Sequence, residues 1–402
     1  MTDASHVPAT PLRSPHPSSA NLDTTAGSAL HIFLHIFLGL FDHKSAREFA
    51  PTVVYVVAVV LTYLPLLMTA LLSGMPLTVT QGSYPLPFLY DVNVMFIFLV
   101  SFPCMLILTA SDQEALTRAL NNVLADGTVT IAQTALSDIE KHWFEVFRIV
   151  NLAAQALGLA IGGTVAYFTY KIFTPVNVGH WIAHDGHLVP AGYVYLYCLV
   201  LFYAVVTVYA IRTLFTALLL RSIVEHAQLH MLPLHPDKAG GLQPVGRIGL
   251  RNQYALTVLG LNIVLFFLAS GDFILTNKPV LYLIAALVVF YVLLGPFAFV
   301  APLLPFRSGM LKNKAQLMNE VAVRLRVELD RLRARLPSGT ITAEDEDFIE
   351  RLRKIGAIID ELPVWPFDAV TLRKFLTAFA LPIVTGIGSP LILDFIRSLL
   401  RS

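Results

Sequence analysis

The sequence predicts an all-α, multi-pass transmembrane helical bundle, on three observations. The 402 residues are 56% hydrophobic and 14% charged, where soluble domains carry about a quarter charged residues, and the mean hydropathy is +0.68. The apolar residues gather into runs about 20 residues long, the length that crosses a hydrocarbon core of about 30 Å at the helical rise. The charges stand between those runs. Backbone polar groups in lipid must be satisfied within the spanning structure, which leaves helices or a closed barrel. Barrel strands would be short and alternating, and these runs are long and continuously apolar.

Residues 1–28, rich in Ser, Thr, Pro and Ala, read as a disordered tail. The apolar stretch 29–41 is too short to cross and suits a helix lying in the membrane plane. Spans follow at 52–73 and 88–110, joined by an uncharged loop. A polar helical segment at 111–147 leads to a third span at 148–171. Gly158, Gly162 and Gly163 in that span are small enough for close helix approach, so it is expected inside the bundle. The loop 172–189 has no Lys or Arg, the fourth span is 191–219, and the loop 220–252 is basic. The fifth and sixth spans are 254–275 and 279–306. Lys and Arg collect in cytoplasmic loops. Six spans with a cytoplasmic amino terminus fit every one of these loops.

Beyond the sixth span, Leu311, Ala315, Met318, Ala322, Leu325, Leu329, Leu332 and Leu336 recur at coiled-coil spacing. Pro337, Ser338 and Gly339 break that helix, and a second one carries Phe348, Leu352, Ile355, Ile359 and Leu362 on one stripe. The pair reads as a cytoplasmic helical hairpin over 309–362, packed on itself or on a second protomer of a homo-oligomer. The last apolar stretch, 375–396, is interrupted by Pro382, Gly386, Gly388 and Pro390 and followed by Arg397 and Arg401. A seventh span would carry those arginines to the outside, against the charge rule. A re-entrant, broken or in-plane segment fits equally well.

Candidate chemistry sits in few places. Asp91 and Arg212 lie within spans, where ionisable groups are functional candidates, although both are near span ends and could reach the interface. Asn151, Gln155 and Asn262 could line a path or bond helix to helix. His226 and His230 are one helical turn apart, the spacing of metal ligands, with His235 and Asp237 beyond Pro233. The stretch His180, Trp181, His184, Asp185 and His187 gathers three imidazoles and a carboxylate, which could bind zinc or copper. The bland alternatives are a helix end without metal and an outer loop with Trp181 at the headgroups. His235, Asp237 and Lys238 could meet an ion or anionic ligand, or simply form a rigid turn, since Pro236 fixes its φ and Gly240 and Gly241 permit a reversal. The HPD string lacks the flanking soluble helices of a co-chaperone J domain.

The run from Arg212, RTLFTALLLRSIVEHAQLHMLPLHPDKAGGL, followed by PVWPFD at 363–368, resembles a family of uncharacterised bacterial multi-pass membrane proteins with an HPD-x-AGGL loop. Gln243, Pro244 and Val245 depart from the aromatic that usually follows the loop. The resemblance covers the second half of the chain. It implies architecture and a bacterial inner-membrane home, and no activity.

The formal net charge of +1 excludes the basic surface of a nucleic-acid binder, so the bilayer is the expected partner. Cys104 and Cys198 fall inside apolar runs and read as small hydrophobes. No cofactor is named by the residues. Three functions compete: a channel- or transporter-like protein, a membrane-anchored signalling or scaffold protein acting through the hairpin, and a metal-dependent membrane enzyme. Transport stands ahead because scaffolds seldom need this many spans.

Overall fold

The computed structural model describes residues 20, 22–29, 43–74, 88–173, 181–184, 186–233, 235–276, 278–335 and 343–401. The expected in-plane helix, from residue 30 onward, lies outside them. Among the described residues seven helices are long and apolar enough to cross a membrane: Pro51–Leu72, Val92–Ala110, Gln133–Ile172, Pro190–His226, Gln243–Leu268, Ile284–Arg335 and Ala369–Gly386.

The first crossing is built from α1 (His43–Leu61) and α2 (Tyr63–Leu72). The second is α3 (Val92–Ala110), which contains a wide π turn at Ile97–Ser101. The polar α4 (Asp112–Ala125) follows, then β1 (Val129–Thr130) and the third crossing, α5 (Gln133–Phe173). A small hairpin, β2 (Ala183–His184) with β3 (His187–Leu188), precedes α6 (Pro190–His226). The antiparallel pairing of β1 with β4 (Gln228–Leu229) ties the end of α6 to the start of α5. The remaining helices are α7 (Gln243–Thr276), α8 (Lys278–Val300), α9 (Leu304–Arg335), α10 (Ala343–Asp360) and α11 (Ala369–Arg401).

The glycines of the third span do the packing expected of them. A Cβ on Gly158 would lie 2.9 Å from the Ala204 backbone, and one on Gly162 would lie 2.7 Å from the Val200 oxygen, so α5 and α6 touch backbone to backbone. Gly163 faces open space. The helix is nevertheless on the perimeter rather than inside the bundle. Its seam of Asn151, Ala154, Gly158, Gly162 and Ala166 is buried, while Leu152, Tyr167 and Phe168 on its other faces are exposed. One small-residue stripe serves one neighbour, and lipid takes the rest.

The carboxyl-terminal stretch is one continuous helix, neither broken nor re-entrant. It runs parallel to α7: Thr257 donates to the Ala378 oxygen at 2.9 Å, Gly260 faces Pro382, and Val264 meets Gly386. Pro382 has no N–H to bond the carbonyl four residues back. That carbonyl is Ala378, which the Thr257 hydroxyl satisfies, while the Tyr291 hydroxyl donates to the next oxygen, Phe379, at 3.0 Å. A proline that looks like an interruption is tolerated because neighbouring helices supply the missing donors.

Two further expectations change. Part of the tail is ordered: Leu22, Thr24, Thr25, Ala26 and Ser28 are buried against α4 and α5. The hairpin forms, with Lys314 facing Asp360 at 3.4 Å, but on a shifted seam. Leu317, Met318, Val321, Leu325 and Leu332 are partly covered, whereas Leu311, Ala315, Ala322 and Leu329 are exposed. On α10, Leu352 and Ile359 are buried while Phe348 and Ile355 are exposed. The inward face of α9 is set where the helix leaves the bundle, by buried Phe306 and Met310, and the later turns inherit that register.

Residues 20, 22–28, 112–132, 226–233, 235–246, 304–335 and 343–368 thus gather on one polar face, linked by contacts such as Met231 with Asn313 and Ala20 with Asn121. Residues 88–91, 181–184 and 186–189 form the opposite face.

Candidate functional site

Polar side chains inside the bundle fall along α3, α6 and α7. Near the polar face they form a node. Arg212 of α6 is 1% exposed; its Nε and Nη2 donate to Asn151 Oδ1 at 3.3 and 3.2 Å, and its Nη1 donates to the Thr109 oxygen at 3.0 Å. Arg251 of α7 donates to Ser111 Oγ at 2.7 Å and to the Leu108 oxygen, with its Nε 3.9 Å from Asp112. Burial raises the Asp112 carboxyl, while Arg251 and Arg212 pull it down; the net shift is upward. Tyr209 donates to Asn252 Oδ1 at 3.1 Å beside this group. The Asp112 carboxylate lies within the field of both guanidiniums.

Midway, Asn262 of α7 donates to Ser101 Oγ of α3 at 2.8 Å, leaving its own Oδ1 buried without a partner. The π turn at Ile97–Ser101 adds about one residue to a helical turn. With that residue absorbed, Asn93 and Ser101 are two turns apart and come onto one face, about 12 Å apart along the helix. Asn93, whose Oδ1 is also buried and unpartnered, sits in the stretch of α3 that packs on α7. Gln253, fully buried beside Gly295 on the α8 side of α7, has neither amide atom in hydrogen-bonding geometry.

At the opposite face stands Asp91. Its Oδ1 accepts from the Val94 N–H at 3.1 Å, capping α3, and its Oδ2 accepts from Trp181 Nε1 at 3.1 Å. Trp181 is fully buried, edge-on to Phe88 and Tyr195, so its ring packs inside the protein and does not sit on the outer surface. The β2–β3 strand pair follows it directly.

His235, Asp237 and Lys238 form a turn whose centre is Asp237. Its Oδ1 accepts from the N–H groups of Ala239 and Gly241 at 2.9 and 3.0 Å, and its Oδ2 from Gln243 at 3.1 Å, capping α7. Burial raises its carboxyl, but those three bonds and the His235 ring, 2.7 Å away, outweigh it and hold the group below the usual range. Lys238 is exposed with φ +55°. Gly241 sits where a Cβ would be 2.2 Å from Thr128 Oγ1. The second quoted motif packs directly on this turn. Gly246 abuts the Pro366 oxygen, Gly240 faces Pro363, and Arg307 stacks over Trp365 at 4.4 Å. Asp368 ends the motif by capping α11 through the Thr371 N–H at 2.9 Å, and the Thr371 hydroxyl and N–H hold its carboxyl below the usual range. The HPD loop and PVWPFD are two halves of one latch.

The histidines are dispersed. α6 ends at His226, whose Nδ1 meets the Ser222 oxygen at 2.8 Å, and His230 follows β4, so the two do not share a helical face. His180 and the side chain of His184 lie outside the described residues, and His187 is exposed. Among the described residues no three His, Cys, Asp or Glu side chains converge to hold a metal.

Sequence reading missed the node's other members, Asp112, Arg251, Asn252 and Tyr209. A usable signal was present: Arg251 and Asn262 are eleven residues apart, three helical turns, and so share a face. No protein-family model matches the chain, nor does any curated protein or solved structure.

Proposed function

We propose that this integral membrane protein is channel- or transporter-like and passes a small polar solute along the column between α3, α6 and α7. The observation that carries the reading is the pair Asn262–Ser101 beside the π turn, with the amide oxygens of Asn262 and Asn93 buried and unpartnered. An unsatisfied buried polar atom costs about 1–3 kcal/mol. Such atoms in a lipid-embedded interface find a use when water or a solute meets them, and π turns recur at functional sites. The charged node would be the mouth on the polar face. The basic loops of that face support a cytoplasmic assignment for it and for the amino terminus. The family resemblance supports a bacterial inner membrane.

The test is reconstitution in liposomes with a panel of ions and small polar solutes. Asn262→Leu is expected to lower flux at least about tenfold, while the lipid-facing control Val289→Leu leaves it unchanged. Flux that survives Asn262→Leu contradicts the reading.

A further inference from the structure

The α9–α10 hairpin covers only half of its own apolar repeat. α9 packs on α10 from Lys314, which faces Asp360, to Arg335, whose Nη1 lies 3.5 Å from Asp345, and Val321 meets Gly356 between them. At the helical rise that contact is about 30 Å long. It takes the side of α9 marked by Met318, Leu325 and Leu332, which are partly covered. The neighbouring row, Leu311, Ala315, Ala322 and Leu329, is spaced by four, seven and seven residues and left exposed, Leu311 by 42% and Leu329 by 45%.

The charges beside this row are arranged in a way that selects its partner. One edge of the row is the α10 contact. Around the wheel, the other edge holds Lys312, Arg326 and Arg333 against one carboxylate, Asp330. Followed across the antiparallel hairpin, the same side continues on α10 as Glu346, Glu350 and Asp360 against one cation, Arg353. The surface is therefore basic on one flank, apolar in the middle and acidic on the other. The exposed pair on α10, Phe348 and Ile355, faces the opposite side of the hairpin, and its outer edge of Glu344, Asp347, Arg351 and Lys354 has no net charge.

α9 continues the sixth crossing, Ile284–Arg335. Copies of the chain inserted in one bilayer share orientation and depth, so their α9 helices run in the same sense at the same height, and the row of one copy can meet the same row of another. A twofold axis between two such helices lays the basic edge of each against the α10 edge of the other. The Arg335–Asp345 contact puts Arg333 level with Glu346, so these two charges would meet across the axis. The two alanines let the helices approach closely.

We propose that the hairpin is a self-association module: two copies of this chain, side by side in one membrane, pair through Leu311, Ala315, Ala322 and Leu329 into a four-helix bundle. Confinement to the bilayer raises the effective concentration of copies, which lets a short row suffice. Pairing requires no flux through the helices, so it stands apart from the transport reading.

The experiment uses the full-length chain with Cys104→Ala and Cys198→Ala in phosphatidylcholine vesicles, carrying one new cysteine and treated with a short bismaleimide. Ala322→Cys is expected to give a covalent dimer at least about tenfold faster than Phe348→Cys, at a rate that adding vesicle lipid does not dilute. Leu329→Glu, at an exposed position that leaves the thermal midpoint unchanged, is expected to slow that crosslinking at least about tenfold. Arg333→Glu is expected to slow it too, and adding Glu346→Arg to restore it. Equal rates at the two cysteines, no dimer at Ala322→Cys, crosslinking that falls in proportion to added lipid, or crosslinking indifferent to Leu329→Glu overturns the proposal. Anionic phosphatidylglycerol that shields Ala322→Cys from a water-soluble maleimide without any dimer assigns the row to the membrane surface and overturns it as well.

Discussion

Asp237 shows how much one carboxylate can organise. It accepts from three backbone N–H groups and neighbours His235. Asp237→Asn removes the charge from these bonds and is expected to lower stability by about 1.5–3 kcal/mol, read as a drop in thermal midpoint in detergent. Because the folded carboxyl sits below its ordinary value, its contribution is fully present above the unfolded pKa of about 3.9 and lost as pH falls through the folded value. The wild-type midpoint should therefore fall more steeply than the variant's below about pH 4. Equal slopes would contradict this. The turn chemistry at His235–Pro236–Asp237 was legible from residue types, since a fixed φ and two glycines announce a reversal. The partnership of Asp91 with Trp181 was not, because it joins residues 90 positions apart through a loop that folds inward.

At the scale of elements, apolar length gave the spans and small residues gave the α5–α6 seam. What length and composition could not show is how a helix survives its own prolines. Pro382 reads locally as an interruption, and only the Thr257 and Tyr291 hydroxyls of neighbouring helices make it continuous. The hairpin seam failed for a related reason: its register is decided at Phe306 and Met310, before the apolar repeat begins. The parallel course of α11 beside α7 carries a prediction about sidedness. Epitope tags fused to the two ends should be accessible from opposite sides of sealed vesicles, with the carboxyl terminus outside despite Arg397 and Arg401. Both tags on one side would contradict the parallel pairing.

Across the whole molecule, segments far apart in sequence close one face. Residues 22–28, the 112–132 segment, the HPD turn and the PVWPFD motif meet there, and the two quoted motifs prove to be a single latch through Gly246 on Pro366 and Gly240 on Pro363. Sequence reading found Arg212 and Asn262 as isolated polar residues; their arrangement depends on the π turn and the α5–α6 register, which emerge only when helices pack. The most direct test of the polar column is the water accessibility of its midpoint. In a chain with Cys104→Ala and Cys198→Ala, reconstituted in liposomes, Ser101→Cys should react with a small charged thiol reagent, and the lipid-facing Val100→Cys should not. An inert Ser101→Cys, or equal reactivity at both positions, would contradict a path between α3 and α7.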